Sequence, residues 1–224
     1  MLINLRFDSK SPFLPELQVP IFVNVFDKEK TRKLSKFILD KESWILENNE
    51  PYPEEDDKLW LTNRSYAYNL FNFSDECPEL NELKQFILMS FINYRDAVGA
   101  PKQKTYIQCW ANVLRKDGKG ITEHSHSDGY ADSPHEYAYV SGTMCLSNLN
   151  TSTDFRSPFL VKYFHNIKNH VGENILFPSW VTHKSDTNTA PIPRISIAYD
   201  IVTQEQLDLA QIERRKRNFI LLTE

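Results

Sequence analysis

The sequence predicts an α+β protein that is mainly β, with helices laid against one face of an antiparallel double sheet of the sandwich or barrel kind. Three observations lead there. Five short β-rich runs follow one another between Tyr106 and Val202, separated by turn-forming residues. Two segments of helical periodicity precede them, and a capped segment follows.

Taken in order, Pro20 to Val25 is apolar and β-branched and reads as an opening strand. Asp27 can then cap a helix that carries Leu34, Phe37 and Ile38 at helical spacing. The stretch Asn48 to Lys58 holds Pro51, Pro53 and five acidic residues, too polar and too interrupted to be buried, so it is expected as a surface loop or a lid. A second helix is signalled by Ser74 ahead of Pro78 at a first-turn position. Leu80, Leu83, Ile87 and Phe91 recur every three or four residues until Gly99. That apolar stripe needs a sheet to pack on.

The β-rich runs are Tyr106 to Leu114, Tyr139 to Leu146, Phe159 to Phe164, Asn174 to Phe177 and Ile195 to Val202. After them Thr203-x-x-Gln206 has the capping-box pattern and opens a C-terminal helix over 204–217, with Leu207, Ala210 and Ile212 on its buried side. No repeat of fixed period is present.

Composition narrows the class. With 224 residues, 41% hydrophobic and 25% charged, the chain can form one sizeable core, and a single domain over 1–224 is expected. Net charge is −4, and the one dense basic run, Arg214 to Arg217, follows Glu213 as a solvated helix face would. No general affinity for nucleic acid is expected. No window approaches the ~18 apolar residues of a membrane span, and the first ten residues lack the layout of a signal peptide. Cys77, Cys109 and Cys145 are odd in number and widely spaced, which suits reduced, buried thiols rather than a zinc ribbon or redox pair.

The chemistry gathers in two stretches. In GKGITEHSHSDG, His124 and His126 stand two positions apart, so an extended backbone points both imidazoles to one side, where they can reach one ion. In GENILFPSWVTHKSDTNTAPIPRISIAY, an apolar strand and a Pro-Ser-Trp corner lead to His183, and Arg194 follows on another strand. A strand end is where such a barrel opens, which lets His183 meet the first pair. Arg194 and Ser196 share one face of their strand, opposite Ile195, Ile197 and Tyr199, and offer a guanidinium fork and a hydroxyl to a carboxylate. A charge that begins so well packed a strand needs a partner, and a bound dicarboxylate supplies one.

Trp110-Ala-Asn112, His124-Ser-His126, Ser141-Gly142, Phe177-Pro178-Ser179-Trp180, His183 and Arg194-Ile-Ser196 together resemble, in order, the motifs of a family of 2-oxoglutarate/Fe(II)-dependent oxygenases of bacteria and their phages. The likeness is to prolyl-hydroxylase-like jelly-roll dioxygenases and spans about 60–201. It implies a double-stranded β-helix of the cupin-like kind and an Fe(II) site of a His-x-(Asp, Glu or His) element plus a distal histidine. It also implies O2 as oxidant and an arginine for the far carboxylate of the 2-oxoglutarate cosubstrate. On this chain the metal residues are then His124, His126 and His183, and Arg194, Ser196, Asn112 and Trp110 border the cosubstrate. A peptide or amino-acid side chain is the favoured substrate, and the cytoplasm of a bacterial or phage-infected host cell is the expected location.

Two departures stand out. The segment 127–140 is longer than is usual between these motifs, and the literal His126-x-Asp128 competes with His124-x-His126. The glycine-containing lead-in GKGITE favours His124 as the first ligand. Three neutral imidazoles leave the metal its full double charge for an anionic cosubstrate, whereas an aspartate ligand removes one unit; Asp128 then becomes a hydrogen-bond acceptor behind a ligating histidine. Strand parity sets Tyr106, Gln108, Trp110 and Asn112 on one face, expected to line the cavity. His135, His165 and His170 lack informative spacing. The rival readings are a cupin-like metal-dependent dioxygenase without a keto acid and a non-catalytic jelly-roll binding module.

Overall fold

The computed structural model describes residues 1–7, 13, 17–51, 61–65, 67–116, 120–126, 138–147, 150–157, 164–209 and 218–223. The strands are β1 (Leu2–Phe7), β2 (Leu17–Val25), β3 (Thr105–Leu114), β4 (Val140–Cys145), β5 (Ser152–Arg156), β6 (Phe164–Lys168), β7 (Glu173–Pro178), β8 (His183–Ser185), β9 (Arg194–Thr203) and β10 (Ile220–Thr223). Between β2 and β3 lie α1 (Lys28–Asn48), two 3-10 turns (Leu61–Arg64 and Leu70–Phe73) and α2 (Glu79–Ala97), and α3 (Gln204–Leu209) follows β9. A seven-stranded sheet has the order β1-β2-β7-β4-β9-β3-β10, and a three-stranded sheet has the order β6-β5-β8. Neighbouring strands pair antiparallel in both.

Alternation across the large sheet divides its side chains between two layers. Ile107, Cys109, Ala111 and Val113 of β3, with Ile195, Ile197, Tyr199 and Ile201 of β9, face the helices, where Leu34, Ile38 and Ile45 of α1 and Leu80, Leu83, Ile87 and Phe91 of α2 meet them. On the other side a second core forms against the small sheet. There Leu5, Phe7, Val19, Ile21, Ile175 and Phe177 enclose Phe155 and Val181. The mainly β architecture with helices on one sheet is therefore the one the periodicities predicted. All three cysteines are buried free thiols.

Both long helices have the expected stripes, but their ends differ. Asp27 caps α1 by accepting from the Lys30 amide at 2.9 Å. Ser74 does not cap α2; its hydroxyl donates to the Phe71 carbonyl at 2.6 Å, and Pro78 occupies the cap position instead. Proline with its fixed φ starts the helix without a side-chain acceptor. Gly99, at φ 69°, ends it as expected. At the far end the capping box forms reciprocally, Gln206 N donating to Thr203 Oγ1 at 3.1 Å and Thr203 N to Gln206 Oε1 at 2.9 Å. The helix is described as far as Leu209, and the expected positions Ala210 and Ile212 and the run Arg214 to Arg217 lie outside the described residues. So do most of the acidic loop, 127–137 with Asp128 and His135, and the expected run Phe159 to Phe164 apart from its last residue, which begins β6.

Gly142 is required by packing. It sits on β4 opposite Tyr199, whose ring atoms lie 2.2–2.4 Å from where a Cβ would be. The ring cannot yield easily, because it is fully buried and its hydroxyl donates to Asn174 Oδ1 at 2.7 Å. Gly142→Ala is therefore expected to destabilise the fold by roughly 1–3 kcal/mol, a melting temperature lower by several degrees. Thermal unfolding measured beside the wild type checks this.

Candidate active site

The site starts from the turn that ends β7. Val181 N donates to the Pro178 carbonyl at 3.0 Å, turning the chain so that His183 opens β8. The segment 120–126 runs beside β8 without becoming a regular strand. His124 N donates to the His183 carbonyl at 3.0 Å, His183 N to the His124 carbonyl at 2.9 Å, and Ser185 N to the Ile121 carbonyl at 3.1 Å. Gly120 permits this approach, since a Cβ there would stand 2.3 Å from the Ser185 carbonyl oxygen. Directly opposed residues of an antiparallel pair project to one side, and so do positions i and i+2. His124, His126 and His183 therefore converge.

Their ring centroids are 5.0 Å (His124 to His126), 4.4 Å (His124 to His183) and 5.2 Å (His126 to His183) apart. One ligand atom from each lies within 4.8 Å of the others, and the three histidines are a set that could hold a metal ion. Each ring is oriented from behind. Nδ1 of His124 contacts the Thr122 carbonyl at 2.8 Å, Nδ1 of His183 the Val181 carbonyl at 3.1 Å, and Nδ1 of His126 the Asp200 carboxylate at 2.8 Å. These oxygens are acceptors, so Nδ1 is the donor in each ring, and in the neutral ring Nε2 then carries the lone pair a metal needs. Burial holds the His183 pKa well below its ordinary value, with the neighbouring His124 and His126 adding to the effect. The ring is thus neutral and ready to ligate.

Apolar and aromatic groups surround the imidazoles. Phe177 meets His183 edge-on at 4.7 Å, Phe155 lies 6.1 Å from the same ring, and Trp110 stacks on His126 at 6.0 Å. Trp110 therefore sits against a candidate ligand ring.

Arg194, the first residue of β9, is 4% exposed. Its Nη1 donates to the Asp186 carbonyl at 3.0 Å, while Nε is buried with no hydrogen-bond partner. Burial lowers its pKa, opposed by nearby Cys145 and Asp186. Ser196 shares its face of β9 and pairs across the sheet with Asn112 of β3, whose Nδ2 donates to Ser196 Oγ at 3.4 Å. Thr62 in the first 3-10 turn fixes that amide by donating to Asn112 Oδ1 at 2.7 Å. A buried guanidinium nitrogen without a partner is costly, and a carboxylate oxygen would satisfy it.

Gln108 departs from the expected cavity face. Its amide nitrogen donates to the carbonyls of Ser65 at 2.6 Å and Tyr68 at 3.2 Å, so it anchors the segment after the first 3-10 turn. His165 lies in β6 and His170 in the turn before β7, and neither belongs to the set that could hold a metal ion. Asp200, Ser141 and Thr62 were not singled out as site residues from the sequence. For Asp200 a signal existed, because it follows Arg194 and Ser196 at even spacing on β9 and so shares their face.

These features define a jelly-roll protein with a three-histidine cluster and a buried arginine at the start of β9. Residues 108–200 match the family model described as "Putative 2OG-Fe(II) oxygenase", so the family likeness drawn from the sequence holds over the strands that bear the site. The family implies Fe(II) and 2-oxoglutarate. No curated protein matches the chain significantly. Among solved structures, the chain is similar to the non-heme alpha ketoglutarate dependent epimerase SnoN from nogalamycin biosynthesis, with a TM-score of 0.56 at 11% identity over 91% of this chain and 93% of that one. It is also similar to the alpha ketoglutarate dependent carbocyclase SnoK of the same biosynthesis, TM-score 0.54, 10% identity, over 82% and 78%. A Pseudomonas putida prolyl-4-hydroxylase gives a TM-score of 0.53 at 11% identity over 82% and 92%. Identities this low speak for the shared fold. Among the described residues no helix is long and apolar enough to cross a membrane.

Proposed function

We propose that the chain is one oxygenase domain in which His124, His126 and His183 hold Fe(II), and Arg194 with Ser196 receives the far carboxylate of 2-oxoglutarate. The observation that supports this reading most is the buried, unpartnered Nε of Arg194, on the face of β9 that also carries Asp200, the carboxylate behind His126 in a cluster of three imidazoles. The donor set suits a divalent first-row ion with open positions. A cupin-like dioxygenase without a keto acid, or a non-catalytic module, needs some other anionic ligand to pair that guanidinium nitrogen.

Iron, 2-oxoglutarate and O2 together supply the oxidising chemistry, with succinate and CO2 as by-products. The chain's own contribution is positional. Carbonyls of Thr122 and Val181 keep the ligand nitrogens of His124 and His183 aimed inward. Asn112, held by Thr62, donates to Ser196, which leaves the serine hydroxyl its own proton to give to a carboxylate beside Arg194. Phe155, Phe177 and Trp110 keep the surroundings dry, which strengthens every charged contact inside. We read the outcome as hydroxylation of a peptide or amino-acid side chain. The similarity to a prolyl-4-hydroxylase supports this, while the epimerase and carbocyclase show that one fold serves several outcomes.

Incubation of the purified protein with Fe(II), 2-oxoglutarate, ascorbate and air tests the reaction class. Slow succinate release is expected even without the true substrate, and it should rise when the substrate is supplied from a panel of peptides and amino acids. No succinate above a metal-free control under any of these conditions would contradict the proposal.

A further inference from the structure

Among the described residues the set that could hold a metal ion is three imidazoles with no carboxylate, whereas the usual facial triad is two histidines and one carboxylate. Asp200 is an acid in direct contact with a triad ring. Its Oδ1 and Oδ2 lie 2.8 Å and 2.9 Å from His126 Nδ1, on the side of the ring away from the ligand nitrogen. Ser141 Oγ donates to Asp200 Oδ1 at 2.7 Å, and the β-sheet register sets Ser141, Asp200 and Gln108 side by side. The carboxylate is thus fixed in place from the neighbouring strand. Both side chains are largely buried, with exposures of 13% for His126 and 19% for Asp200.

We infer that Asp200 is the negative charge of this metal centre, delivered through the His126 ring rather than by direct ligation. The inference rests on the proposed assignment of His126 as a ligand. A carboxylate that accepts Nδ1–H polarises the imidazole and raises the basicity of Nε2, and in a poorly solvated site its charge is felt by an ion on the far side of the ring. Asp200 is a positioning residue: it orients and charges a ligand without touching the ion. This arrangement keeps all three ligands neutral, so the ion presents its full double charge to an anionic cosubstrate while the centre as a whole remains compensated.

The test uses the full chain and two readouts. Co(II) and Fe(II) affinities are measured by competition with a chelating indicator for wild type, Asp200→Asn, Ser141→Ala and Asp128→Asn. Asp200→Asn keeps the size and an acceptor oxygen but loses the charge, and is expected to weaken metal roughly 10–100-fold. Ser141→Ala, which leaves the charge, should change it by less than about threefold. The second readout is the affinity of metal-loaded protein for 2-oxoglutarate. Losing a nearby negative charge should leave this unchanged or tighter in Asp200→Asn, and should move the visible Fe(II)·2-oxoglutarate band to shorter wavelength. A general loosening of the fold would weaken both ligands and move no band.

Metal affinity of Asp200→Asn within threefold of wild type would overturn the inference, and so would a larger loss in Asp128→Asn. If Co(II) binding responds to Asp200 as expected but wild type shows no 2-oxoglutarate band, the inference stands and the oxygenase reading fails.

Discussion

His183→Ala is expected to leave the protein unable to retain Fe(II) through desalting, while its far-ultraviolet circular dichroism stays that of the wild type. Loss of one of three protein ligands leaves a pair held by a short segment, and Fe(II) stands low in the affinity order of first-row ions. His183 is a candidate ligand held in the neutral form, because burial and its two histidine neighbours keep its pKa low. The fold should survive, since the contacts joining His183 to His124 are made by backbone atoms. Metal analysis by mass spectrometry reads the result. Stoichiometric iron in the variant would remove His183 from the site.

Arg194→Met should separate cosubstrate binding from metal binding. Truncating one partner of a buried, charge-assisted pair costs on the order of 2–5 kcal/mol, so 2-oxoglutarate should bind roughly thirtyfold more weakly or worse at ~1.4 kcal/mol per tenfold. Iron affinity should hardly change. Apo stability should change little, because methionine fills similar volume and removes the unpartnered buried Nε, which offsets the lost Nη1 hydrogen bond to the Asp186 carbonyl. A variant that binds 2-oxoglutarate as tightly as wild type would take Arg194 out of the pocket.

Elements with a strong period were legible in the sequence. The stripes of α1 and α2 and the alternation of β3 and β9 each bury one apolar set, and burial is what periodicity reports. Strands without such a set were not legible. In β5 the residues Ser152 to Arg156 include one large apolar side chain, Phe155, and β8 is three residues, His183 to Ser185, formed by pairing to β5 and to the segment bearing His124. The edge strand β10 was silent because its partner β3 lies far back along the chain, and β1, which pairs with the next strand β2, buries only two of its side chains, Leu5 and Phe7. Ser74 and Pro78 marked the start of α2 correctly, with Pro78 at the cap position and the Ser74 hydroxyl turned back to the Phe71 carbonyl.

The candidate site followed the same division. His124, His126, His183, Arg194 and Ser196 stood out because their residue types and spacing have a chemical meaning. The polar groups behind them did not: Asp200 reaches His126 across 74 positions, and Thr62 reaches Asn112 across 50. Such contacts are set by sheet register, which no local pattern contains. Gln108 shows the converse, since its parity matched the cavity face while its amide was taken by the backbone of the preceding segment.

The most direct measurement is an anaerobic titration of the Fe(II)-loaded wild-type protein with 2-oxoglutarate, followed by visible absorption. A broad charge-transfer band is expected that saturates near one equivalent, is absent from His183→Ala, and needs roughly thirtyfold more 2-oxoglutarate or beyond in Arg194→Met. An iron-loaded wild type that develops no band at saturating 2-oxoglutarate would contradict the oxygenase reading.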